Sequence, residues 1–219
     1  MDFGRPLAVV TPTLDGDVLG ALARADAEFS GRELARHVGH GSTEGIRRAA
    51  DRLVAQGVVS RRVVGAAHLY RLNREHLAAP WIEGLAGLRQ QLIDRLRGLI
   101  ASWDESPRVV LLFGSVARGQ ATAASDLDVL VIRHRDCDPD SDPWRAQLAE
   151  LQRLSTAWTG NDTRVLELSE GEASGTAVAS VLKDALRDGV ELLGSRRTLQ
   201  RLIRAERLVR TARDRSTAA

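Results

Sequence analysis

Leu111-Leu112-Phe113-Gly114-Ser115-Val116-Ala117-Arg118-Gly119-Gln120, then Ala121-Thr122-Ala123-Ala124, then Ser125-Asp126-Leu127-Asp128-Val129-Leu130-Val131 is the stretch that decides the fold. An apolar run of strand length ends in Gly-Ser, and a helix-compatible segment begins there. Glycine lets the backbone come close to a ligand, and exposed amides at a helix start attract phosphate. Ser115 adds a hydroxyl at the same point. Eleven residues after Ser115, Asp126 and Asp128 stand two apart at the start of a second apolar run. In a strand that spacing projects both carboxylates from one face. Two carboxylates so close repel each other unless a cation sits between them. Oxygen-only ligands suit Mg²⁺ or Mn²⁺ better than zinc. Paired carboxylates that hold two such ions activate a hydroxyl and neutralise a triphosphate during in-line displacement. A bare Asp-x-Asp would read as an acidic turn capping a strand; the Gly-Ser before it turns the balance to a metal–triphosphate site.

Outward from this core, residues 107–194 alternate strand and helix patterns. Strands are expected at 108–113, 126–132 and 163–168, helices at about 143–158 and 177–187, and a short strand at 190–193. Residues 196–215 read as a helix with Leu199, Leu202, Ile203 and Leu208 on one side and arginines elsewhere: a phosphate-binding tail or the solvated face of a terminal helix. Before the core, residues 81–102 repeat Trp81, Leu85, Leu88, Leu92, Leu96 and Leu99 every three or four positions. Such a stripe suits either a dimer seam or packing on the domain that follows.

The N-terminal third has a different rhythm. Three short amphipathic helices are expected over residues 14–56. Leu14, Val18, Leu19 and Leu22 mark the first, and Ser30-Gly31-Arg32-Glu33 opens the second as a capping box. The third follows Ser42, with Ile46, Ala49, Ala50, Leu53 and Val54 on one face and Glu44, Arg47, Arg48, Asp51 and Arg52 on the other. Two alternating runs, residues 58–64 and 68–72, flank Gly65-Ala66-Ala67 and read as a β-hairpin.

The expected organisation is therefore 1–78, a helical linker 79–104, the core domain 105–195 and a basic C-terminal helix 196–219. At 219 residues and 43% hydrophobic, the chain suits one large domain or two small ones. It has no apolar run of about 18 residues and no basic-then-apolar leader, so a cytoplasmic protein with no membrane contact is expected. The single cysteine, Cys137, excludes an internal disulfide or a Cys-based zinc cluster. Net charge is only +2, and Lys183 is the one lysine. Arginine is the better phosphate fork, so the bias is compatible with nucleotide or nucleic acid. At 4% aromatics, a base-stacking RNA platform is disfavoured.

The Gly-Ser, second glycine and Asp-x-Asp over residues 100–195 resemble the DNA polymerase β-like nucleotidyltransferase superfamily, most of all its minimal prokaryotic members. The resemblance implies an α/β (α+β) fold with a mixed sheet, a nucleoside triphosphate substrate (ATP is the expected one) and a divalent metal. Gly114 and Ser115 would hold the triphosphate, with Arg118 able to approach a phosphate. Asp126 and Asp128 would bind Mg²⁺ or Mn²⁺. The family's third carboxylate, which helps activate the attacking hydroxyl, has two candidates here. Glu167, an acid between apolar neighbours in a strand, is costly there unless paired or metal-bound and is preferred as catalytic and metal-binding. Asp162, just before that strand, is the alternative.

Residues 10–75 resemble the winged helix-turn-helix superfamily in the order and lengths of the elements. That resemblance implies a DNA-binding module in which Arg47, Arg48 and Arg52 face the groove or its phosphates, and Arg61 and Arg62 reach backbone phosphates from the wing. Winged helices also dock proteins. Two functions compete. One is transfer of a nucleoside monophosphate to a hydroxyl of a protein or RNA acceptor, related to toxin–antitoxin systems, with a homodimer serving operator binding. The other is a transcriptional regulator whose nucleotidyltransferase-like domain senses a nucleotide. Intact Asp126 and Asp128 favour the first.

Overall fold

The computed structural model describes residues 1–175 and 177–217, with side chains as far as residue 206 and that of Leu208. The chain divides into two compact units, residues 2–90 and residues 91–219, the second joined by Met1.

In the first unit a 3-10 turn at Pro6–Val9 precedes α1 (Leu14–Ala23), β1 (Phe29–Ser30), α2 (Gly31–Val38), α3 (Thr43–Ala55), β2 (Val59–Val64), β3 (Ala67–Leu72) and α4 (Ala79–Ala86). The helices start and stop where local chemistry directs them. The Glu33 N–H donates to the Ser30 hydroxyl at 3.3 Å, and the Ser30 N–H donates back to the Glu33 carboxylate at 2.8 Å. This reciprocal capping box satisfies two donors that the first helical turn leaves unpaired. Gly39 ends α2 in the left-handed region at φ 77°, and the Gly45 N–H donates to Ser42, the cap of α3, at 3.0 Å. Val18, Leu22, Leu34, Ile46, Ala49, Leu53, Tyr70 and Leu72 share one buried cluster, so the expected apolar face of the third helix is the one that turns inward. The sheet is antiparallel in the order β1-β3-β2, with Phe29 opposite Tyr70 and Val59 opposite Leu72. β1 has two residues, too few to leave an alternating pattern in the sequence.

The single helix expected over 81–102 is broken. α4 ends at Ala86, the Gly87 N–H closes onto the Glu83 carbonyl at 2.9 Å, and α5 (Leu88–Ala101) begins afresh. Gly84 and Gly87 are poor helix formers, and burial divides across them. Ile82 joins the core of the first unit, while Leu92, Ile93, Leu96 and Ile100 are buried along α5. Leu92 and Leu96 are thus interior positions, and Trp81 is exposed.

The second unit continues with β4 (Val109–Phe113), α6 (Gly114–Ala117), β5 (Leu127–Arg133), α7 (Asp142–Thr159), β6 (Thr163–Ser169), α8 (Ala179–Asp188), β7 (Val190–Leu193) and α9 (Arg196–Thr217). Its mixed sheet runs β6-β5-β4-β7. β4 is antiparallel to both β5 and β7, and β6 is parallel to β5. The parallel pair is what requires the long crossover through α7. Val109, Leu111, Leu130, Ile132 and Leu168 form one cluster with Leu182, Ala185, Leu199 and Ile203. The start of α9 therefore belongs to the core. The side chains of residue 207 and residues 209–219, which carry the basic end of the expected phosphate-binding tail, lie outside the described residues. Among the described residues no helix is long and apolar enough to cross a membrane.

Leu130 is fully buried in the strand between β4 and β6. Leu130→Ala removes packing on both sides and leaves a cavity, at a cost of about 2–5 kcal/mol. Urea unfolding followed by the fluorescence of buried Trp103 and Trp144 measures it; a loss below about 1 kcal/mol would contradict this packing.

Candidate active site

One end of the mixed sheet gathers the Gly-Ser and both aspartates. β4 runs out at Phe113, which lies opposite Asp128 near the start of β5, and Asp128 lies opposite Arg164 near the start of β6. Gly114, the next residue after β4, has φ 74°, a conformation that a side chain makes costly. Space forbids a side chain as well: a Cβ on Gly114 would lie 2.5 Å from Oδ2 of Asp128. The backbone of the Gly-Ser turn thus seats against the carboxylate of the Asp-x-Asp, and two motifs on successive strands meet at one place. From that turn α6 runs for four residues, with the Arg118 N–H donating to the Gly114 carbonyl at 3.3 Å and the Gln120 N–H to the Ser115 carbonyl at 2.9 Å. The second glycine of the motif, Gly119, follows at φ 69°.

The loop that delivers Asp126 is held by a residue that sequence reasoning missed. Asn161 is 1% exposed, and its side-chain amide donates to the carbonyls of Thr122 (3.1 Å) and Ser125 (2.8 Å). The Thr122 N–H donates to the Ser125 hydroxyl at 3.0 Å, and the Leu127 N–H to the Asp162 carbonyl at 2.8 Å. Buried amides of this kind are costly to orphan, so the loop is pinned on both sides of its turn. An asparagine after the helix-stopping Gly160 reads locally as a turn residue; only its burial shows the task.

Electrostatics single out Asp128. Burial pushes its carboxyl above the usual range, the charge of Asp126 adds to that, and Arg164 opposes it. Asp126 is half-buried and pairs with Arg164, Nη1 to Oδ2 at 2.9 Å. Arg118 is tied to Asp188 at 3.4 Å and to Gln120 at 3.2 Å, which links α6 to the end of α8.

The structure does not bring Glu167 together with Asp126 and Asp128. Along β6, Arg164, Leu166 and Leu168 lie opposite Asp128, Leu130 and Ile132, whereas Glu167 lies opposite Val131. Strand alternation therefore turns Glu167 to the face opposite Asp128, and three residues further along the strand than Arg164. There it pairs with Arg133 at 2.5 Å, which gives an acid in an apolar run a partner of opposite charge. Asp162 stands at the same end of the sheet as Asp128, one residue before the Leu127–Thr163 pair and exposed.

Among the described residues no group of three His, Cys, Asp or Glu side chains converges as a cation site. Asp126 and Asp128 remain as two hard oxygen groups at one strand end. Mg²⁺ commonly takes one or two protein carboxylates and completes its shell with phosphate oxygens and water. The pair fits that use, and it does not fit an all-protein cage.

In the first unit, Arg47, Arg48 and Arg52 lie on α3 and Arg61 and Arg62 on β2. Every one of them is paired with an acid: Arg47 and Arg48 with Glu44 (2.8 and 3.0 Å), Arg52 with Asp15 (2.7 Å), Arg61 with Asp51 (3.2 Å) and Arg62 with Glu28. Arg48 remains 70% exposed.

Residues 94–143 match the family model for the nucleotidyltransferase domain. The match spans β4, α6 and β5 and stops before β6. No curated protein matches the chain. Among solved structures, a mutant of the toxin–antitoxin MntA–HpeT shares 15% identity over 57% of this chain and 93% of its own, at a TM-score of 0.39. A toxin–antitoxin structure with AMP-PNP shares 16% over 57% and 93%, at 0.38. A nucleotidyltransferase structure from Sulfolobus solfataricus shares 22% over 48% and 85%, at 0.28. Overlaps this partial carry no argument, and the family model covers residues 94–143 alone.

Two expectations follow. Gly114→Ala forces the left-handed turn open or displaces the Asp128 carboxylate; it should weaken binding of a Mg²⁺–triphosphate at least tenfold while circular dichroism stays unchanged, and unaltered binding would contradict the close approach. For Asp128, a raised carboxyl means that the folded chain holds this proton more tightly than the unfolded chain does. The associated stability is present at low pH and is lost as pH rises through the window above the ordinary carboxylate value. In EDTA, Asp128→Asn should therefore be more stable than the parent at pH 7, with the gap closing in acid; thermal unfolding across pH reads it, and a destabilised Asp128→Asn at pH 7 would refute it.

Proposed function

We propose that the second unit of this chain is a nucleotidyltransferase domain that binds a nucleoside triphosphate, ATP in the first instance, as its Mg²⁺ complex at Asp126 and Asp128, and transfers the nucleoside monophosphate to a hydroxyl of a protein or RNA acceptor, with pyrophosphate leaving. The carrying observation is the contact of the Gly114 backbone with the Asp128 carboxylate, which sets a phosphate-compatible turn beside a pair of metal-binding acids. Gly114 and Ser115 orient the triphosphate; Asp126 and Asp128 hold the cation. Bound there, Mg²⁺ would neutralise charge on the phosphates during displacement. The acceptor's proton falls to Asp162, since Glu167 faces away. Asp162 is exposed, so an acceptor hydroxyl can reach it.

Residues 2–90 are proposed as a winged helix whose α3 enters DNA. Support comes from the order helix, strand, two helices and hairpin, with three arginines along the outer face of α3. Exposed ion pairs are weak, so phosphates can replace Glu44, Asp15 and Asp51 as partners. The interleaved acids nonetheless keep nonspecific affinity modest. A DNA-binding module joined to a nucleotidyltransferase suits a toxin–antitoxin system that controls its own operon. The second reading, a regulator that senses a nucleotide without transferring it, is favoured by one observation, the displacement of Glu167.

Incubation with α-labelled ATP, Mg²⁺ and cell lysate separates the two. The transferase reading expects label on an acceptor, lost in Asp126→Ala or Asp128→Ala and reduced at least tenfold in Asp162→Asn. Nucleotide binding without transfer to any acceptor would leave the sensor. For the DNA half, Glu44→Gln should tighten the gel shift of the chain's own upstream DNA at low salt, and Arg48→Ala should weaken it. No shift at low salt would make this unit a protein-docking module.

A further inference from the structure

Arg164 occupies a position that the chemistry of the site makes conspicuous. On β6 it is the residue directly opposite Asp128, and its guanidinium pairs with Asp126, so it bridges toward both acids from the neighbouring strand. The side chain is 68% exposed while Asp126 is 31% exposed. A residue held by one exposed ion pair, on a long flexible stem, can exchange partners at little cost.

We propose that Arg164 is a partner-exchanging positioning residue of the nucleotide site: without ligand it neutralises Asp126, and when a metal–triphosphate arrives it yields Asp126 to the cation and takes a phosphate oxygen instead. The proposal rests on the reading that Asp126 and Asp128 bind metal. Its physical basis is charge. Asp126 and Asp128 repel each other at one strand end, and a guanidinium beside Asp126 relieves that repulsion. A divalent cation on the same carboxylates repels Arg164, and the triphosphate entering with it attracts Arg164. The planar fork of arginine suits phosphate oxygens as well as it suits a carboxylate. Metal alone must therefore displace Arg164 without compensation, whereas metal with triphosphate gives it a new partner. The site is tuned to bind the complex rather than the free ion.

The signature is a pair of opposite effects from one substitution. Mn²⁺ binding without nucleotide is titrated by the electron paramagnetic resonance of the free ion, on the full chain at low ionic strength. Arg164→Gln should tighten Mn²⁺ several-fold, because Asp126 is released, and should weaken the Mg²⁺ complex of a non-hydrolysable ATP analogue at least fivefold. Arg164→Lys, which keeps the charge and loses the fork, should leave Mn²⁺ near the wild-type value and weaken the analogue. Equal Mn²⁺ affinity in Arg164→Gln and wild type, or loss of both affinities together, would overturn the exchange. Asp126→Asn and Asp128→Asn run in the same titration keep the two readings apart. If these variants bind Mn²⁺ as wild type does, the metal assignment itself fails. If they lose Mn²⁺ while Arg164→Gln changes nothing, only the exchange fails.

Discussion

The second unit is organised around one close approach, the backbone of Gly114 against the carboxylate of Asp128. Neither partner could be where it is without the other's restriction. Gly114 must lack a side chain, because its left-handed turn and the nearby Oδ2 leave room for none. Asp128 must sit at the start of a strand antiparallel to the one that ends in Phe113, because only that register lays its side chain over the turn. The rest of the domain serves this approach: the buried sheet sets the register, α7 returns the chain so that β6 can lie parallel to β5, and Asn161 at its exit pins the loop that carries Asp126.

Charge is managed differently at the two ends of β6. At its start, Asp126 and Asp128 are close enough to raise the carboxyl of Asp128, and Arg164 supplies the opposing charge from an exposed position. Near its end, Glu167 and Arg133 neutralise each other in a largely covered pair. A covered pair is expensive to separate because each charge is left unsolvated, while an exposed pair exchanges readily. The first arrangement suits a site that must admit a charged ligand; the second suits a fixed part of the fold. In the first unit the arginines of α3 and β2 resemble the first case: they are themselves exposed, and exposed or half-buried acids hold them.

Much of this was legible in the chain itself. The capping box at Ser30, the buried face of α3, the hairpin and the strand–turn–helix at Gly114 all follow from signals within a few residues. The two-residue β1 and the break at Gly87 were not legible. β1 exists because β3 offers it a partner, and the leucine stripe from 81 to 102 continues across Gly87 even though its two halves bury separately. Periodicity records which residues are apolar, not which core receives them.

The two candidates for a third acid mark where local reading ends. Sequence alone grouped Gly114, Ser115, Asp126 and Asp128 as one candidate site, by their types and spacing within a single strand–turn–strand. It also determined that an acid in the run 164–168 needs a partner. Which partner, and on which face, depended on how β6 pairs with β5. A shift of one residue in that register would turn Glu167 toward Asp128 and Arg164 away, because strand side chains alternate. Tertiary structure decided it: the parallel register with Asp128 opposite Arg164 gives Glu167 to Arg133, leaves Asp162 at the site's edge and places an arginine beside Asp126.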